Sequence, residues 1–208
     1  MIHMPQFLNQ GSRTNPTVPG DITIGSETNT SVYQPAYYLY EYGYLGMIIP
    51  AASIGGNYTF NKLAFYYKLD DDPYPPVTPS ITNQTLILAH TNSSSFSSNN
   101  ESLSSASPFN VTTVKSNFSV NFSGNDGWRE YPFDTNFNYN NSYNLIIKWE
   151  NRWGDYDYGY PSIRYSNVGS TSNNVMIQGY RDNSYPSGST GFTKRQTNNL
   201  ANVKLFYT

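Results

Sequence analysis

The chain reads as an all-β protein, a jelly-roll-like antiparallel β-sandwich, and three observations lead there. Short apolar–polar alternations recur along it, turn residues separate them, and no stretch carries the 3.6-residue period of an amphipathic helix. Leu63, Phe65, Tyr67 and Leu69 alternate with Ala64, Tyr66 and Lys68, the period-two pattern of a half-buried strand. Phe118, Val120 and Phe122 alternate with Ser119, Asn121 and Ser123. Leu145, Ile147 and Trp149 take one face, with Ile146, Lys148 and Glu150 on the other. About nine or ten such strands over 208 residues suit one large β domain.

The elements follow in order. Residues 1–28 form an extended polar arm rich in Pro, Gly, Asn and Thr, with Ile22 and Ile24 its only strand-like pattern. Such a segment has too little apolar surface to order itself, so an ordered arm docks on its own sandwich or on a neighbouring subunit. The sandwich occupies residues 29–208. Its first strand is expected from the aromatic run Tyr37-Tyr38-Leu39-Tyr40-Glu41-Tyr42 to Pro50, with Gly43 and Gly46 as bends or bulges. Asp70 to Pro79 is a proline-rich loop, Thr85 to His90 a short apolar strand, and Asn92 to Pro108 a Ser/Asn-rich surface loop. Gly124-Asn125-Asp126-Gly127 supplies turn chemistry before Trp128. Gly127 to Phe133 and Phe137 to Asn151 then read as two strands joined by an Asn-rich connection. Ser162 to Tyr165, Val175 to Tyr180 and Val203 to Tyr207 complete the set.

Only 12% of residues are charged while 16% are aromatic, with 20 Tyr among them, so Asn, Ser, Thr and Tyr solubilise the surface. That balance points to the outside of a cell or to a virion. A net charge of −2 with scattered Lys and Arg argues against nucleic acid. The absence of Cys excludes disulfides and thiolate metal sites. The longest apolar stretch, Leu45 to Ile54, is broken by Gly46, Pro50 and Ser53, so no membrane insertion is expected. Met1 to Leu8 lacks the basic and apolar segments of a signal peptide, as expected of a mature form or a virion component. Asn-x-Ser/Thr sequons recur, two of them at Asn117 and Asn121 inside an expected strand, and they read as a consequence of composition.

Some of these segments resemble a known family. Thr85-Leu86-Ile87-Leu88-Ala89-His90-Thr91 running into Asn92 to Ser98 is similar to a motif of jelly-roll modules in Bacteroidetes surface and secreted proteins. There an aliphatic strand ends in Gly-His-Thr and enters a Ser-Phe-Ser-type loop. Gly127-Trp128 through Phe133, then Asn138 through Trp149, resembles the Gly-Trp, Pro-Phe and Asn-Leu-Ile run of the same modules. Ile54-Gly55-Gly56 before Leu63-Ala64-Phe65-Tyr66 resembles their entry strand. Ala89 stands where Gly is usual, and Tyr143 where Ser is. The resemblance implies the jelly-roll fold and an exterior setting. A lone module with an arm suits a structural protein of a bacteriophage infecting such hosts.

Few residues carry chemistry. Trp153, Asp155, Tyr156, Asp157, Tyr158 and Tyr160 form the best candidate recognition loop, because sugars take flat aromatic faces on their C–H side and carboxylates on their hydroxyls. Asp70-Asp71-Asp72 offers oxygens to a structural Ca²⁺, but consecutive carboxylates in an extended segment point apart, and no cofactor is expected. His90, at a strand end, reads as a hydrogen-bonded structural residue, and His3 has no chemical context. A glycosidase needs two convergent carboxylates, for which Glu130, Asp134, Glu150 and Asp155 are the candidates. The expected function is a non-catalytic structural subunit of an exterior assembly, a bacteriophage virion foremost, contacting itself or other subunits through the arm and its Tyr-rich faces. The alternatives are a carbohydrate-binding or adhesion module gripping surface polysaccharide, phage receptor binding included, and more remotely a glycoside-active enzyme.

Overall fold

The computed structural model describes residues 18–31, 33, 35–69, 80–97, 103–157, 161–167, 174–185 and 193–208. Among these, thirteen strands form two antiparallel sheets packed face to face. The strands are β1 (Gly20–Ile24), β2 (Asn29–Ser31), β3 (Tyr42–Ile49), β4 (Tyr58–Lys68), β5 (Ser80–Thr91), β6 (Phe109–Asn121) and β7 (Gly127–Tyr139). They continue as β8 (Asn144–Asn151), β9 (Ser162–Asn167), β10 (Met176–Arg181), β11 (Thr193–Thr197), β12 (Asn199–Ala201) and β13 (Val203–Tyr207). The six-stranded sheet runs β11-β10-β3-β8-β5-β6; the seven-stranded sheet runs β1-β13-β4-β9-β12, with β7 beside β4 and β2 beside β9. From β3 onward the chain crosses repeatedly between the sheets, as a jelly-roll-like sandwich does. A single helical turn, Ala51–Ile54, ends on Gly55 at φ +80°, a left-handed cap that glycine adopts without a Cβ clash.

The alternating strands bury the faces that the sequence assigns them. Leu63, Phe65 and Tyr67 of β4 meet Leu45, Met47 and Ile49 of β3 and Leu145, Ile147 and Trp149 of β8 in one core, all of them fully buried. Burying a side chain of this size stabilises by about 1.5–3 kcal/mol.

The outer face of the six-stranded sheet is also covered. Phe96, Leu103 and Ala106, from the stretch expected to be a surface loop, cover it together with Tyr44, Ile48, Ala89, Ile146 and Ile177. This explains Gly46, expected to mark a bend. Its strand keeps unbroken register on both sides, and a Cβ there would lie 2.7 Å from Leu103 Cδ2. Gly179 likewise makes room for the Tyr44 ring, which would sit 2.4 Å from an added Cβ.

A further expectation changes. The run from Tyr37 to Glu41 is not a strand: Tyr40 N–H donates to Tyr37 O at 3.2 Å in a turn that buries Tyr38, and β3 begins at Tyr42. Within the arm of residues 1–28, β1 pairs with β13 from Gly20↔Tyr207 to Ile24↔Val203. Residues 26 and 27 are fastened by Ser166 Oγ, which accepts from Ser26 N–H at 2.9 Å and Glu27 N–H at 3.0 Å, while Asn202 Nδ2 donates to Glu27 O at 2.8 Å. This part of the arm lies on the chain's own sandwich. Finally, the sequon residues Asn83, Asn110 and Asn117 have φ of 56°, 50° and 49° and sit where the β5–β6 register slips. Asparagine tolerates this left-handed backbone better than most residues, which suits it to these irregular positions of the strand pair.

Candidate functional site

The loop after β8 is anchored before it reaches solvent. Asn151 Oδ1 accepts from Gln84 Nε2 at 2.6 Å and from Trp153 N–H at 3.2 Å, and Asn83 Nδ2 donates to Arg152 O at 2.6 Å. Gly154, at φ +79°, donates its N–H to Glu41 O at 3.1 Å, and Asp157 N–H donates to Tyr38 O at 2.9 Å. The loop therefore lies along the turn that precedes β3. Trp153 is half-buried against the core and Asp157 is buried. Asp155 and Tyr156 face solvent, Tyr156 with 44% exposure, and Asp155 Oδ1 accepts from Tyr156 N–H at 2.8 Å. Tyr158 and Tyr160 lie outside the described residues.

Tyr156 joins four residues absent from the sequence-based set. With Leu39, Glu41, Asp182 and Asn183 it lines an open depression of about 390 Å³. The terminal β3–β10 pair, Tyr42↔Arg181, brings Glu41 beside Asp182 although they are far apart in sequence. Asn183 N–H donates to Glu41 Oε2 at 2.6 Å, and Glu41 N–H to Asp182 Oδ1 at 3.4 Å. Two of the five lining residues are acidic and none is basic. Beside the depression, Tyr40 lies tilted against Tyr180 at 4.5 Å and Tyr37 meets Tyr180 edge-on at 5.1 Å. An exposed ring, two carboxylates and an amide around one hollow can accept hydroxyl donors and cover an apolar C–H face.

The carboxylates considered for glycosidic chemistry have other engagements. Glu130, on the outer face of the seven-stranded sheet, pairs with Lys62 at 2.6 Å, and Asp134 lies 3.5 Å from Lys115. Glu150 is on the outer face of the other sheet, between Lys148 Nζ at 2.7 Å and Arg152 Nε at 2.8 Å. Burial alone would raise its pKa, but the two cations more than offset that and hold it below the usual carboxylate range. Glu130 and Glu150 thus stand on opposite sides of the sandwich. Asp70 to Asp72 lie outside the described residues, and among those described no group of three His, Asp or Glu is placed to hold a metal.

His90 is caged by Phe109, Phe137, Tyr139 and Tyr143, with ring centroids 5.0–5.7 Å away, and its Nε2 accepts from Asn140 N–H at 3.0 Å. Burial lowers its pKa. With the folded value below the unfolded one, about 6.5, its contribution is complete above pH 6.5 and declines as the pH falls toward the folded value. Thermal melts between pH 7.5 and 5 should show this slope, and His90→Phe should flatten it; an unchanged slope would remove His90 as the cause.

No protein-family model, curated protein or solved structure matches this chain.

Proposed function

We propose that this protein is a carbohydrate-binding module acting on an exterior surface, with the hollow around Tyr156 as its site. The observation that carries this reading is the convergence of an exposed aromatic ring with Glu41, Asp182 and Asn183. The carboxylates accept hydrogen bonds from sugar hydroxyls, Asn183 both donates and accepts, and Tyr156 covers the C–H face. An acidic lining without a lysine or arginine favours a neutral, hydroxyl-rich glycan. The Asn- and Tyr-rich composition supports the exterior setting, including receptor binding by a virion. The second reading is a structural subunit with the arm as its clasp; of that arm, residues 20–24 pair within the chain's own sheet.

Affinity electrophoresis of the full chain through gels containing neutral polysaccharides tests the proposal. Migration should be retarded by at least one neutral polymer. Tyr156→Ala and Asp182→Asn should each weaken that retention about tenfold, equivalent to about 1.4 kcal/mol. Both positions are exposed, so melting temperatures should stay within a few degrees of the parent. Retention that survives both substitutions would place the site elsewhere.

A further inference from the structure

The outer face of the seven-stranded sheet carries a second arrangement, independent of the Tyr156 hollow. Trp128 of β7 pairs directly with Tyr66 of β4, their rings edge-to-face at 5.5 Å and 85°. The Arg164 guanidinium lies 4.0 Å from the Tyr66 ring centroid, and Lys204 Nζ lies 4.9 Å from that of Trp128. Lys204 belongs to β13 and Trp128 to β7, with β4 between them, so the lysine reaches across Ala64, its register partner. A larger residue than alanine there would block that path.

The charges on this face divide into two kinds. Lys62 pairs with Glu130 at 2.6 Å and Lys68 with Asp126 at 2.7 Å. Asp21, exposed at the β1 edge, is the register partner of Phe206. Lys204 and Arg164 have no carboxylate partner among the described residues, and Arg164 Nε is buried with no hydrogen-bond acceptor. Two uncompensated cations therefore stand against aromatic rings on a protein of net charge −2. From Tyr66 to Lys62 the face extends roughly 13 Å, four residues at about 3.3 Å each. There it opens into a depression of about 570 Å³ lined by Asp21, Lys62, Asn136 and Phe206, with Lys62 Nζ 4.0 Å from the Phe206 ring.

We propose that this face binds an acidic polysaccharide, one whose sugars carry carboxylate or sulfate groups. Arg164 and Lys204 pair with the anionic group, Trp128 and Tyr66 contact the sugar ring beside it, and the chain runs on toward Lys62 and Phe206. Charge complementarity selects this occupant: a half-buried arginine and lysine held against rings bind an oxyanion that a neutral glycan lacks. Nucleic acid, which also carries one charge per residue, is the competing occupant, and the oligonucleotide control decides between the two.

The test is binding of the full chain to immobilised polyuronate and to dextran sulfate, with neutral dextran and a single-stranded oligonucleotide as controls. The expected result is binding to at least one acidic polymer about tenfold tighter than to dextran, weakening as salt rises toward about 0.5 M. The polyuronate and sulfate arms distinguish the two sources of the anion. Arg164→Gln/Lys204→Gln should lose about tenfold, and so should Trp128→Ala, which leaves the charge intact. The idea is overturned if neither acidic polymer binds, if the double variant binds as well as the parent, or if the oligonucleotide binds as tightly at equal salt. Binding undiminished in Trp128→Ala would also overturn it, because that is plain ion exchange. The acid-lined Tyr156 hollow plays no part here, so Tyr156→Ala should leave acidic-polymer binding unchanged whether or not it affects neutral glycans.

Discussion

Trp149→Ala should lower the unfolding free energy by about 3–5 kcal/mol, the range for truncating a fully buried tryptophan. Three aromatic rings hold the indole at near-perpendicular angles: Phe65 at 5.8 Å, Phe118 at 5.1 Å and Tyr131 at 5.1 Å. Alanine would empty the centre of this cluster. It would also orphan Gln84 Oε1, which accepts from the indole Nε1 at 2.8 Å, and an unsatisfied buried acceptor costs about 1–3 kcal/mol. Trp149→Phe separates the two effects, since it keeps most of the volume and loses only the donor. The alanine variant should shift the urea midpoint strongly at nearly constant slope, with the phenylalanine variant between it and the parent. A loss below about 1 kcal/mol for alanine would mean that the cluster closes over the gap. The effect also reaches the surface, because Gln84 Nε2 holds Asn151 Oδ1, which in turn holds Trp153 N–H at the base of the Tyr156 loop. Loosening the indole should therefore loosen the proposed glycan site.

The strands legible in the sequence were those with one face in the core. β4, β6 and β13 alternate because one set of side chains meets the other sheet. Where a second layer covers the outside, alternation vanishes: Leu145-Ile146-Ile147 is buried on both faces because Phe96, Leu103 and Ala106 fold back over β8 and its neighbours. A Ser- and Asn-rich stretch gives no hint that a few scattered apolar residues will do this. The arm was only partly legible, since β1 sets just Ile22 and Ile24 against the core, β2 has no apolar residue, and backbone pairing together with Ser166 and Asn202 holds the rest. At the proposed hollow, composition pointed to Tyr156, whereas Glu41, Asp182 and Asn183 are neighbours only through the β3–β10 register. The same holds for Trp128 and Lys204, which meet only because Ala64 lies between their strands. Local pattern fixes which way a side chain faces, whereas site composition depends on strand pairing.

Lys148→Ala should cost about 3 kcal/mol at neutral pH, the low end for breaking a buried ion pair, since Arg152 remains beside Glu150. Lys148 and Glu150 are both nearly buried, with side-chain exposures of 7% and 8%, and Lys148 Nζ lies 6.0 Å from the Tyr44 ring centroid. Removing the lysine leaves a desolvated carboxylate with a partner that is itself 41% exposed. The pH dependence gives the test its sign. In the parent, the folded pKa of Glu150 is lowered, so its contribution is full above the unfolded value of about 4.3 and is lost as the pH falls through the folded one. In the variant, the burial that favours the neutral acid faces less opposition. Protonation then relieves the variant while it deprives the parent of a favourable pair. The stability gap should therefore be widest near pH 7 and narrow below about pH 4.5. Replacing both members, Lys148→Met with Glu150→Leu, should come much closer to the parent than Lys148→Ala does, because apolar side chains of similar size carry no desolvation cost. Arg152 keeps its stacking on Tyr185, at 3.5 Å, when Glu150 is gone. If denaturation curves show Lys148→Ala to be neutral at pH 7, or the gap to be constant with pH, Glu150 does not depend on this lysine for its charge.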